Sequence, residues 1–376
     1  MELFGLGVQP PPVNLRAIVE KKNATIALQH HQLAQMLEDT GEKKRLRGRL
    51  ILIATGSFPV SLPHIPIDGK RLLFSEHIMD ITTVPRRLLI VGAGVIGLEM
   101  GTVYARLGSQ VTFVEILGQI GGNMDQELAS RYQAHLEGKS VHFYCRHAVT
   151  GVDTTAPDHV SVRIRAEEGV HEEQALEADI VLVCVGRRPF SEKLHLDRAG
   201  VTMDRHGAVE INEQMQTNVP HIYSVGDTTP GPMLAHKAEE EAVLAVEAMN
   251  GRPVHLHRTA IPCVVYTRPE LAWVGRTESD LQKDHIEFQT ERLHYNSNSR
   301  DVTGPGDDGL MKTLYNSQTK EIYGVHIYGN EAGDLIAEAV LAMLKGVPLD
   351  DFGNDPHAHP FFKSFRFMRR VLAHGR

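Results

Sequence analysis

Residues 88 to 99 read LLIVGAGVIGLE, an apolar run followed by glycines at 92, 94 and 97. That spacing suits a phosphate cradle between a strand and a helix. Gly92 allows the tight turn and Gly94 lets the backbone approach a pyrophosphate. Gly97 lets helix and strand pack closely where the helix amides point at the anion. About 20 residues on, a strand from Gln110 to Val114 ends in Glu115, where a carboxylate accepts a ribose 2′-hydroxyl. A carboxylate there repels a 2′-phosphate, and no arginine follows closely, so the pair favours NAD over NADP. No other G-x-G-x-x-G opening on a strand stands before residue 92.

The remaining reactive side chains are badly spaced for thiol or metal chemistry. Cys145, Cys184 and Cys263 are too few and too scattered for a disulfide framework, and no C-x-x-C or C-x-x-x-x-C exists. A reducing compartment follows, with Cys184 a small core residue inside the apolar string IVLVCVG. The 21 histidines include His30-His31 and His255, His257 and His294, but no H-E-x-x-H or carboxylate-histidine cluster, so no metal is expected.

Composition narrows the class further. A chain of 376 residues, 42% hydrophobic and 23% charged, is ordinary for a globular protein of two or three domains. A net charge of −8 and a pI near 6.2 argue against a nucleic-acid partner. The longest apolar runs, such as Ile180 to Val185, fall far short of the roughly 20 residues a bilayer requires. The opening MELFGLGVQPPPV has neither the basic start nor the long apolar core of a secretory signal.

The elements that must hold the fingerprint can be read from periodicity. Leu15, Ile18, Val19, Ile26, Leu33, Met36 and Leu37 are spaced as an amphipathic helix over 13–39. The charged stretch 42–49 reads as a solvated loop or hairpin, and LILIATG, 50–56, as a strand. After Gly97 a helix is expected with Leu98, Val103 and Leu107 inward. Strands near 110–114, 141–145, 160–164 and 180–185 alternate with helices, which implies a parallel sheet. HIYSVGD, 221–227, is a strand before a helix closed by Gly251. From about 254 the texture becomes α+β, with strands near 261–266, 271–275, 310–315 and 321–328 and a helix over 331–345.

Several strings together are specific. TNVPHIYSVGDTTPGPMLAHKAEEE (217–241), IPCVVYTRPELAWVG (261–275) and HAHP (357–360) stand in order with ATG (54–56), GAGVIGLE (92–99) and CVGRRPF (184–190). The chain resembles the dihydrolipoamide dehydrogenases, which are NAD-linked, FAD-containing disulfide oxidoreductases. The resemblance covers nearly the whole length.

It implies an α/β fold in which a Rossmann-like NAD domain, 85–190, is inserted in a partial FAD domain, represented by 1–84 and a second FAD-contact segment, 191–253. An α+β interface or dimerisation domain, 254–376, follows. The NAD contacts it implies are Gly92, Ala93, Gly94, Val95, Ile96, Gly97, Leu98, Glu99, Glu115, Val149 and Gly186. The FAD contacts are Gly56, Asp227, Met233, Leu234, Ala235 and His236. In the family Asp227 accepts a ribityl hydroxyl, residues 233–236 open a helix aimed at the flavin, and Glu99 pairs with a lysine beside it. His359 matches the base that deprotonates the dithiol, offered to the partner subunit's flavin in a homodimer.

Three departures accompany the resemblance. The first FAD-binding glycine motif and the C-x-x-x-x-C redox pair have no counterpart, so the chain is expected to begin inside a domain and to be inactive alone. Where the family has a glutamate five residues after the catalytic histidine, this chain has Ser364. Dihydrolipoamide and the components of a 2-oxo acid dehydrogenase complex are the implied partners, in the mitochondrial matrix of a eukaryote or the cytoplasm of a bacterium. A noncatalytic NAD-binding or dimerising module of such a complex is the alternative reading, and a diaphorase-like NADH oxidase a third.

Overall fold

Helix α1 (Leu15–Leu37) precedes three short strands, β1 (Ile51–Ile53), β2 (Ser57–Pro59) and β3 (Leu72–Leu73), and the single turn α2 (Ser75–Ile78). The fold comes from a computed structural model that describes residues 13–37, 48–167, 172–295 and 309–351. The expected helix forms over 15–37, but along its described face the apolar residues are not sunk in a core. Val19 is buried, whereas Ile18 is 52% and Leu28 58% exposed. The side chains of 32–37 and most of the charged stretch 42–49 lie outside the described residues.

The centre of the molecule is built around the fingerprint. Strand β4 (Arg87–Val91) leads into α3 (Val95–Arg106), β5 (Gln110–Glu115), α4 (Gln126–Glu137) and β6 (His142–Cys145). Strands β7 (His147–Asp153), β8 (Val160–Ala166) and β9 (Glu173–Ala178) come next, and β10 (Ile180–Val183) returns beside β4. The sheet order is β3-β10-β4-β5-β6, and every neighbouring pair is parallel. Such a sheet is buried on both faces. Leu88 and Ile90 enter one apolar cluster while Leu89 and Val91 enter another, as the two-residue strand period requires.

Two expectations are corrected here. Val103 is 48% exposed, because α3 turns Leu98, Gly101, Thr102 and Tyr104 to the sheet instead. Gly101 sets that face: a Cβ there would lie 2.3 Å from the Phe113 ring, so the helix can approach only without one. Strand β8 does not belong to the parallel sheet. It is the middle of an antiparallel β7-β8-β9 sheet, and its alternation puts Val160, Val162 and Ile164 inward against the cluster holding Leu89 and Val91.

The chain then crosses back. Strand β11 (Arg187–Pro189) pairs antiparallel with β2, and β12 (Ile222–Ser224) parallel with β1. Helix α5 (Ala235–Met249) follows, with Gly251 in the left-handed conformation just past its end.

The last unit runs through β13 (Cys263–Val265), β14 (Glu270–Gly275), α6 (Glu278–Lys283), β15 (Gln289–His294), β16 (Leu310–Tyr315), β17 (Ile322–Gly329) and α7 (Ala332–Lys345). Its antiparallel order is β13-β14-β17-β16-β15, with Ile336 and Ala339 of α7 buried in one core with Val274 and Ile327. The ionic joint to the NAD unit is buried. Lys312 Nζ lies 2.8 and 2.9 Å from the Asp125 oxygens and 3.1 Å from Glu278 Oε1. Among the described residues no helix is long and apolar enough to cross a membrane.

Candidate nucleotide-binding site

The fingerprint turn is tied down from all sides except one. Gly92 (φ +97°) donates its amide to Val114 O at 2.8 Å, and a Cβ on it would meet Cys184 O at 2.4 Å. A Cβ on Gly97 would lie 2.3 Å from Gly92 O. A Cβ on Gly94 would have nothing within 4 Å. The two closed glycines hold strand to helix, and the open one leaves room for a ligand. Helix α3 starts at Gly94 with no side-chain cap and no acidic residue in its first turn, so its leading amides remain available to an anion.

Glu115 sits where the fingerprint requires it. It is 8% exposed, Oε2 accepts the Ala93 amide at 2.6 Å, and Oε1 accepts the Leu117 amide at 2.9 Å. A carboxylate has about four lone-pair positions, so two remain for a ribose. The loop after β5 also closes over the turn, Gly121 donating to Ala93 O at 2.8 Å. The open space at Gly94 and the uncapped helix start fit a dinucleotide's pyrophosphate.

The other residues expected to contact NAD fall into different places. Val95 and Ile96 are half-buried on the first turn of α3. Leu98 is wholly buried and its amide is taken by Gly94 O, so it offers a ligand neither group. Gly186 is exposed, with φ +115° and open space around it, just past β10. Val149 is 7% exposed and packs in the core with Val160 and Val162. Glu99 turns away from the turn: its Oε1 accepts the Tyr266 amide at 2.9 Å, which docks α3 on the last unit. Burial pushes the Glu99 carboxyl above its ordinary value, with that hydrogen bond opposing.

A second constellation lies where three segments converge. Asp227 Oδ2 accepts the Ser57 hydroxyl at 2.5 Å, and Ser57 Oγ accepts Arg187 Nε at 2.7 Å. Gly56, at φ +73°, has open space around it and accepts the Phe190 amide at 2.8 Å. Behind Asp227 the turn is clamped by a buried ion pair. Lys237 Nζ donates to Gly226 O at 3.0 Å and to Glu241, while Glu241 Oε2 accepts the Gly226 amide at 2.7 Å. Met233 and Leu234 are half-buried, Ala235 and His236 exposed, at the start of α5, which carries no side-chain cap. His236 Nε2 is 2.7 Å from Pro262 O. The carboxylate and the open helix end suit the hydroxylated chain and the electron-rich edge of a flavin.

Ser57, Arg187, Lys237 and Glu241 escaped the sequence reading. The one available signal was the i, i+4 spacing of Lys237 and Glu241, which in AHKAEEEA looks like a solvated face. His359 and Ser364 lie outside the described residues. The cysteines are unpaired. Burial pushes the Cys184 thiol up to about 12 and Cys263 to about 11, and raises Cys145, where Glu115 adds to the effect.

Fold and site thus define an α/β protein of the dinucleotide-binding class with an appended α+β unit. Residues 12–242 match the pyridine nucleotide-disulphide oxidoreductase family, and residues 261–367 match the dimerisation domain of that family. The chain belongs to the pyridine nucleotide-disulphide oxidoreductases. It is 39% identical over 328 residues to the mitochondrial dihydrolipoyl dehydrogenase of Mus musculus, and 40% identical over the same length to that of Homo sapiens. Each alignment covers 87% of this chain and 64% of the relative, so the chain spans less than two thirds of those proteins. In fold it is similar to LpdA from Mycobacterium tuberculosis, with a TM-score of 0.87 at 22% identity over 99% of this chain and 86% of that one. It is also similar to the flavoprotein disulfide reductase RclA of Escherichia coli, with a TM-score of 0.84 at 20% identity over 97% and 87%.

Proposed function

We propose that the protein binds NAD at the 92–97 turn and FAD along Gly56, Asp227 and residues 233–236. Its chemistry is that of the dihydrolipoyl dehydrogenases, in which dihydrolipoamide and NAD⁺ give lipoamide, NADH and a proton. The observation that carries the NAD half is the buried Glu115 carboxylate fixed on the Ala93 amide beside an open Gly94. Flavin supplies the two-electron relay between thiol and nicotinamide when bound. The residues of this chain would orient and hold it: Asp227 would accept from its hydroxylated chain, and the uncapped start of α5 would stabilise charge on its electron-rich edge.

The 376 residues themselves do not oxidise a dithiol in this proposal. No C-x-x-x-x-C is present, and the three thiols are separate and held protonated by burial. A protonated thiol is neither a nucleophile nor a good redox partner. The alternative reading, a noncatalytic NAD-binding or dimerising module of a 2-oxo acid dehydrogenase complex, predicts NAD binding without flavin. The match of 261–367 to a dimerisation domain supports a homodimer. With this reading we divide the chain into FAD-contact segments (1–84 and 191–253), an NAD domain (85–190) and an interface domain (254–376). The relatives' mitochondrial names support the matrix in a eukaryote, and cytoplasm is the bacterial counterpart.

Three measurements on the purified chain test the proposal: calorimetry with NAD, equilibrium dialysis with FAD, and NADH formation from dihydrolipoamide. Binding of both nucleotides without dithiol-dependent NADH is expected. Absence of NAD binding overturns the nucleotide assignment, and NADH at roughly 1–1,000 per second overturns the assignment of inactivity.

A further inference from the structure

We propose that Arg187 is a positioning residue that sets the Asp227 carboxylate through Ser57 and so ties the exit of the NAD domain to the flavin site. The inference rests on the flavin reading of Asp227.

The geometry begins with the strand. Arg187 is the first residue of β11, directly after Gly186, and β11 pairs with β2 in the register Arg187↔Pro59 and Pro189↔Ser57. The pairing is extended at both ends, Val60 donating to Gly186 O at 3.0 Å and Phe190 to Gly56 O at 2.8 Å. The guanidinium then reaches across this ribbon with two donors. Nε donates to Ser57 Oγ at 2.7 Å and Nη2 to Ser57 O at 2.9 Å.

The direction of the hydroxyl proton follows from that fork. Arginine has donors and no acceptor, so Ser57 Oγ must accept from it and turn its own proton elsewhere. Among the described residues its acceptor is Asp227 Oδ2, at 2.5 Å. A fixed hydroxyl rotor thus holds one carboxylate oxygen and leaves the other to a ligand hydroxyl. Arg187 also brings a positive charge two bonds' reach from that carboxylate, without pairing with it directly. Gly186 stands on the NAD side of the same peptide, so the two nucleotide sites are separated along the chain by one residue.

A lysine cannot replace this arrangement in full, since a single ammonium lacks the planar fork that meets both Ser57 atoms. The test uses FAD as probe in equilibrium dialysis, with NAD affinity by calorimetry on the same preparations. Arg187→Met and Ser57→Ala are each expected to weaken FAD about tenfold, the scale of one charge-assisted hydrogen bond. The double variant should be no weaker than the worse single within about twofold, because both remove one linked device. Arg187→Lys should recover part of the loss, and NAD affinity should stay within about twofold throughout.

Arg187→Met binding FAD like the wild type overturns the inference, as do additive losses in the double variant or equal losses of FAD and NAD. If Arg187→Met does not fold, Arg187→Lys with and without Ser57→Ala supplies the same cycle. A wild-type chain that binds NAD but no FAD overturns the flavin reading itself, and the inference falls with it.

Discussion

The two nucleotide-facing halves of the molecule are built from similar strands and end up very differently covered. Around the fingerprint, β4 has a parallel neighbour on each side, and Leu88, Leu89 and Ile90 are at most 1% exposed. Around Asp227, among the described residues β1 pairs only with β12, and Leu50, Ile51 and Leu52 are 40, 46 and 37% exposed. Val243 of α5 is also 60% exposed. A parallel pair needs cover on both faces to be stable. The NAD half carries its own support, whereas the flavin half leans on the buried Lys237–Glu241 pair and the Arg187–Ser57 fork.

That contrast can be broken by removing each half's support. The largest effect is expected from the buried lysines. Lys237→Met strands Glu241 in the core and should cost about 3–5 kcal/mol, only partly restored by adding Glu241→Leu, which leaves the buried Gly226 amide unpaired. Urea unfolding measures both. Lys312→Met should cost a similar amount but loosen the joint between α4 and β16 rather than the flavin half. Hydrogen exchange separates the two: α5 opens in the first variant and α4 in the second.

Next come the glycines. Gly92→Ala places a Cβ against Cys184 O in a left-handed backbone and should cost about 2–4 kcal/mol. Gly56→Ala meets nothing within 4 Å and should cost only about 1 kcal/mol of backbone strain. Equal costs would mean that the two halves are equally tightly built.

Much of the NAD half was legible in the sequence because its signals are local. Three glycines at fixed spacing locate turn and helix, Glu115 stands at the end of the next strand as expected, and the 88–91 run gives the strand. One error there came from a contact that spacing does not encode, Gly101 against Phe113, which rotated α3 and sent Val103 outward. The other was legible: the alternation of Val160, Val162 and Ile164 in β8 marks a half-covered antiparallel strand rather than a member of the parallel sheet. The flavin half was legible only through resemblance. Its supports link residues 57, 187, 227, 237 and 241, brought together by crossings between distant strands, and Ser57 and Arg187 have no motif of their own.

Smaller effects sharpen the comparison through protonation. Glu127 is partly buried, which alone would raise its carboxyl, but Arg292 and Lys312 hold it below the ordinary value of 4.5. A lowered carboxylate contributes stability that is present above the unfolded value and lost as pH falls through the folded one. Unfolding midpoints should therefore drop on acidification below about pH 4.5, and Glu127→Gln should flatten that drop. Alkylation at neutral pH gives the mildest test. Cys184 and Cys263, raised to about 12 and about 11, should react at least about tenfold more slowly in the folded chain than in urea.

The claim that the NAD half stands on its own is tested most directly by titrating NAD into the flavin-free chain in a calorimeter, with Glu115→Leu alongside. One NAD per chain is expected, with NADP at least about tenfold weaker and the variant losing at least about tenfold in NAD affinity. No NAD binding without flavin, or equal binding of NAD and NADP, would contradict it.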